Sequence, residues 1–113
     1  MAKIRYSAAA MQDLEEIGDY ILEELKSPEA ALNTVNRIQD TIEKLVDFPQ
    51  IGISLSTRYE DVGNYHFVVC GSYLAFYHER MNDIYIDRIL YGKRDYMNIL
   101  FGGVLENDTE QGK

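Results

Sequence analysis

At 113 residues, with 46% hydrophobic and 27% charged side chains, the chain suits one domain built on a single core. Nineteen acids against eleven bases leave a formal charge of -8, which argues against extensive contact with nucleic-acid phosphates, because proteins that grip phosphates carry a basic face. No apolar run approaches the roughly 20 residues of a membrane span or forms a signal-peptide core, so a cytoplasmic protein with no membrane partner is expected. The single cysteine, Cys70, excludes an internal disulfide and leaves a cysteine-type metal site short of ligands.

Residues 3–6 read as a short strand, and Ser7 as the N-cap of the helix that follows. Leu14, Ile17, Ile21 and Leu25 recur at helical spacing up to about Lys26, giving one apolar stripe. The acids Asp13, Glu15, Glu16, Asp19, Glu23 and Glu24 then read as the solvated face of that helix. A dipolar surface is the alternative, because Arg80, Arg88, Lys93 and Arg94 fall in the C-terminal half. Ser27 and Pro28 start a second helix, with proline where its missing N–H costs nothing, and Ala31, Val35, Ile38, Ile42 and Leu45 form its stripe. Two helices joined so tightly should pack as an antiparallel hairpin.

Phe48 and Pro49 end the hairpin, and Gly52 with the polar run 54–63 reads as a connecting loop. Residues 65–70, 73–79 and 84–91 follow as three strands, separated by Gly71-Ser72 and by Arg80-Met81-Asn82-Asp83, both short enough for hairpin turns. A short helical turn is expected over 94–101. The predicted fold class is therefore α+β: an N-terminal strand, an antiparallel helical hairpin, a three-stranded antiparallel meander and a short C-terminal helix. It forms one domain over 1–101, with a polar, flexible tail over 102–113.

Chemistry is expected to concentrate over 84–101. Ile84, Ile86 and Leu90 alternate with Tyr85, Asp87 and Tyr91, the period of a strand, until Gly92 breaks it. That alternation places Arg88 on the apolar face beside Ile86 and Leu90, where a half-buried arginine needs an anion. Lys93 and Arg94 emerge at the strand's C-terminal mouth, the densest positive spot in an acidic chain.

The element order, together with Ser7-Ala8, Asp13-Leu14 and Ile17, the Phe48-Pro49 and Gly52 spacing, Gly71-Ser72-Tyr73 with Phe76-Tyr77, and Arg88-Ile89-Leu90-Tyr91-Gly92-Lys93-Arg94-Asp95-Tyr96, resembles the RelE/ParE superfamily of toxins from type II toxin-antitoxin systems. The resemblance covers residues 3–101 and leans towards ParE. It implies a cognate antitoxin as partner and no cofactor. Two mechanisms follow from it: ParE-like members bind and poison DNA gyrase, whereas RelE-like members cut messenger RNA on the ribosome.

An RNA-cutting site needs acid-base groups beside clustered cations. The resemblance assigns Arg94 to a family arginine, and Arg88 and His66 would complete a catalytic set if the chain is a ribonuclease, with His78 a second candidate base. Leu74 stands where RelE-like nucleases carry an arginine, and Leu100 where they carry a tyrosine, with only Tyr96 nearby. These losses favour a gyrase-binding toxin, in which Lys93, Arg94 and Tyr96 contact the target. A relative that has lost toxicity and only binds antitoxin is a third reading.

Structural roles compete for the same residues. His66 can be a hydrogen-bonded strand residue, Arg88 can pair with Glu79, Glu15 or the antitoxin, and Arg94 with Asp95 can form a local cap. Tyr65, Tyr73, Tyr77, Tyr85 and Tyr91 are expected to pack in the sheet rather than to stack on bases. For so acidic a toxin, the antitoxin's docking segment should be apolar or basic.

Overall fold

A computed structural model describes residues 2–55 and 65–92 together with Ile99. The chain runs β1 (Ile4–Tyr6), α1 (Ala8–Leu25), α2 (Pro28–Asp47), a 3-10 turn (Pro49–Ile51), β2 (Ile53–Ser54), β3 (His66–Cys70), β4 (Tyr73–Arg80) and β5 (Asp83–Tyr91). The expected strand, helical hairpin and meander are all present. The short C-terminal helix and the tail lie outside the described residues, apart from Ile99.

Both helices begin where the hydroxyls predict. Ser7 Oγ accepts from Ala10 N at 2.9 Å and Ser27 Oγ from Ala30 N at 3.1 Å, each satisfying an N–H that the first turn leaves without a partner. α1 ends at Lys26, whose φ of 54° turns the chain straight into α2. The predicted stripe of α1 fades towards that end: Leu14 and Ile17 are buried, Ile21 is half-buried, and Leu25 is exposed.

The strands form one sheet in the order β1-β5-β4-β3-β2. The meander β3-β4-β5 is antiparallel, whereas β1 joins β5 in parallel, with Ile4 opposite Ile84 and Tyr6 opposite Ile86. A two-residue strand, β2, lengthens the other edge, where a loop was expected from residue 54 onward; Ile53 pairs with Phe67 and Ser54 with His66. The β4–β5 turn has Met81 at φ 53° and Asn82 at φ 70°, the pair of positive angles whose twist suits a two-residue hairpin.

One face of the sheet carries the main core. Leu14 and Ile17 of α1 and Ile38, Ile42 and Leu45 of α2 pack there against Val68, Cys70, Ala75, Tyr77, Ile84, Ile86 and Ile89. Cys70 is a free, buried thiol in this core, and burial pushes it up to about 11. The other face holds a smaller cluster of Leu55, Phe67, Phe76 and Leu90, with Tyr65, Leu74 and Ile99 packed against it.

Asp83 ties β1 to the start of β5: its carboxylate accepts from Arg5 Nε at 2.8 Å and from Lys3 N at 3.2 Å. These bonds, Arg5's first, hold the Asp83 carboxyl below its ordinary range. A depressed carboxylate contributes stability above its unfolded pKa and loses it as pH falls through the folded one. The amides of β1 should therefore exchange faster than those of α2 below about pH 4, and Asp83→Asn should remove that pH dependence. Hydrogen exchange followed by NMR measures both.

Candidate functional site

β1 covers β5 only from Ile84 to Ile86, so the rest of that edge needs other partners for its backbone groups. The start of α1 supplies them. Ser7 N donates to Ile86 O at 3.0 Å, Ser7 Oγ donates to Asp87 O at 2.9 Å, and Ile89 N donates to Asp13 Oδ2 at 2.9 Å. A single hydroxyl thus caps a helix and closes a sheet edge.

At the same place the strand pairing slips by one residue. Tyr77 lies opposite Ile86, but Phe76 lies opposite Arg88, leaving Asp87 as the extra residue of a bulge. The slip corrects the expectation that Arg88 shares an apolar face with Ile86 and Leu90. Ile86 belongs to the helix-covered core and Leu90 to the opposite cluster. Strict alternation over 84–91 could not foresee this, because a bulge reverses the facing of every residue beyond it.

Arg88 does find an anion, and it is Asp13 of α1. The guanidinium donates through Nε to Asp13 Oδ2 at 2.8 Å and through Nη2 to Asp13 Oδ1 at 2.9 Å, the two-pronged geometry that planar groups favour. Asp13's hydrogen bond holds the guanidinium above its ordinary pKa. Asp13 is only 7% exposed, which corrects its assignment to the solvated face of α1. Its spacing carried the signal: three residues after Ala10 and four before Ile17, it falls on the apolar stripe.

On the face that carries Phe76, His78 Nδ1 lies 2.6 Å from Asp87 Oδ2. Tyr85 stacks on the imidazole at a ring-centroid distance of 5.3 Å, and Tyr65 meets it edge-on at 5.6 Å. Burial raises the Asp87 carboxyl against the lowering effect of the His78 hydrogen bond. A carboxylate that holds one imidazole nitrogen fixes the ring's orientation and directs the other nitrogen elsewhere. Asp87 was read only as a strand position, since its partner is set by the bulge.

His66 stacks on Tyr77 at 5.5 Å. It is two strands away from Arg88, about 10 Å across the sheet. Leu74 packs with the cluster of Phe67, Phe76 and Leu90, so the position of the family arginine is absorbed into apolar surface. Lys93, Arg94, Tyr96 and Leu100 lie outside the described residues. Among the described residues, no group of three or more histidine, cysteine or carboxylate side chains is placed to hold a metal ion.

Residues 4–96 match the model of a family described as the ParE toxin of the type II toxin-antitoxin system, parDE. Among solved structures, the chain is similar to one from the chromosomal ParDE TA system of P. aeruginosa. The identity is 24% and the TM-score 0.67, over 80% of this chain and 96% of that one, a likeness of fold. It also aligns with a chain of the E. coli DinJ-YafQ complex at 11% identity and a TM-score of 0.47, over 90% of this chain and 100% of that one. No curated protein matches the chain.

Proposed function

The chain belongs to the ParE toxin family of type II toxin-antitoxin systems, and from that premise we propose that it arrests growth by binding and poisoning DNA gyrase and is held inactive by a cognate antitoxin. The observation that carries the gyrase reading is the state of the sheet face opposite the helices and of the edge beside it. Leu74 is half-buried against an apolar cluster, and Arg88 is committed to Asp13 by two hydrogen bonds. Cleavage of RNA needs cations that converge on a phosphate, whereas inhibition by binding needs only a complementary surface. Lys93, Arg94 and Tyr96, just past β5, supply the proposed target contacts. No described helix is long and apolar enough to cross a membrane, and a cytoplasmic site of action goes with this target.

One observation favours ribosome-dependent cleavage as a second reading. His78, held by Asp87, has the arrangement of a general base whose orientation is fixed by a carboxylate. In that reading His78 takes the role first considered for His66, with Arg94 as the phosphate contact.

Induced expression is expected to arrest growth with altered plasmid supercoiling and intact messages. Arg94→Ala should weaken arrest at least about tenfold, the scale of a lost charge-assisted contact. Codon-phased message cuts that disappear in His78→Ala would replace the gyrase reading with the ribonuclease. Absence of arrest would make the protein a relative that only binds antitoxin.

A further inference from the structure

Between α1 and the ends of β4 and β5 lies an open recess of about 420 Å³, floored by Ile17 and Ile89 and walled by Tyr20, Tyr73 and Tyr91, with Glu16 at its rim. Tyr73 and Tyr91 meet edge-on at a centroid distance of 5.8 Å. Burial raises the Tyr73 hydroxyl, and the nearness of Tyr20 and Tyr91 raises it further. Tyr20 is 60% exposed and Tyr91 42%, so both rings are within reach of a partner from solvent.

The two carboxylates at the recess differ. Asp13 already accepts two bonds from Arg88 and one from Ile89 N. Glu16 is in no ion pair among the described residues: its hydrogen-bond partner is the neutral amide of Gln12, at 3.0 Å. Arg88 lies close enough to feel its charge. Three aromatic rings lining a recess beside a carboxylate that is not ion-paired favour a cation over an anion.

We propose that this recess receives an arginine side chain from the docking segment of the antitoxin. Arginine suits it better than lysine, because a flat guanidinium stacks on rings while its fork meets a carboxylate. A protein segment suits it better than a small amine, because Glu16, Asp19 and Glu23 continue one helical face away from the recess and ask for successive basic positions. The antitoxin as donor rests on the family membership above. The cation chemistry rests on the recess alone.

Titration of the full chain with butylguanidinium chloride, and separately with neutral butylurea, tests the chemistry by NMR. The ring resonances of Tyr20, Tyr73 and Tyr91 are expected to shift saturably with the guanidinium alone. Glu16→Gln and Tyr91→Leu should each weaken that binding about fivefold while leaving the Val68 and Ile42 methyl signals in place. Equal responses to both probes, or none, would overturn the proposal. So would probe affinity that rises in Lys93→Ala/Arg94→Ala, because the chain's own cations would then fill the recess. In the complex, the same two variants should weaken antitoxin affinity at least about fivefold; unchanged affinity would overturn the donor. If the wild type binds no cognate antitoxin, family-based partnership fails and the donor with it, while the guanidinium titration still judges the cage.

Discussion

Asp13→Ala is expected to destabilise the protein by about 4 kcal/mol, lowering its melting temperature by roughly 15 °C. The carboxylate is 7% exposed and accepts three hydrogen bonds, two from Arg88 and one from Ile89 N. Its removal leaves a half-buried guanidinium without its counter-ion and an edge amide without an acceptor at the same time. Asp13→Asn should lose less, because its carbonyl oxygen can still accept from Ile89. The double change Asp13→Leu/Arg88→Met should recover most of the loss, since removing both charges leaves neither one unpaired. Thermal unfolding of the four proteins measures the series. A single Asp13→Ala that melts within about 3 °C of the wild type would show that this pair does not hold α1 to β5.

Gly52→Ala should cost about 3 kcal/mol, for a steric rather than a conformational reason. Gly52 has φ -74° and ψ 154°, angles open to any residue. A β-carbon there, however, would stand 2.6 Å from Cζ of Tyr77 and on top of its hydroxyl oxygen. Tyr77 cannot step aside: it is fully buried, and its hydroxyl donates to Pro49 O at 3.4 Å. Burial pushes that hydroxyl up to about 12, so it remains a donor throughout the physiological range. Tyr77→Phe removes the oxygen that the new methyl meets most closely but leaves Cζ 2.6 Å away, so the double variant should lose less than the two single changes added together, by about 1 kcal/mol. Urea unfolding of the single and double variants reads the coupling directly. The post-hairpin loop thus depends on a glycine because a strand tyrosine fills the place of its side chain.

Both predictions concern contacts between residues far apart in the chain, and such contacts mark the limit of what was legible in the sequence. Helix starts were legible because Ser7 and Ser27 act on N–H groups three residues away. The meander was legible because its turns are local, although the structure tightens the expected four-residue connection over 80–83 to a two-residue turn at Met81 and Asn82. The parallel docking of β1 on β5 joins residues about eighty positions apart, and no local signal announces it. The same holds for Asp13, whose place on the apolar stripe hinted at burial without naming Arg88.

The candidate site divides in the same way. Residue types and their order determined the family, the α+β class and the absence of an arginine at Leu74, because these are properties of local pattern and of the side chains present. Tertiary structure alone decided that the bulge at Asp87 separates Ile86 from Leu90, that Arg88 is spent on Asp13 while His78 is held by Asp87, and that three tyrosines converge beside Glu16. The physical reason is common to all three. A one-residue slip in strand pairing reverses facing and costs little to the local pattern, so the partner of each charge is set by the sheet's register and by the helix laid across it.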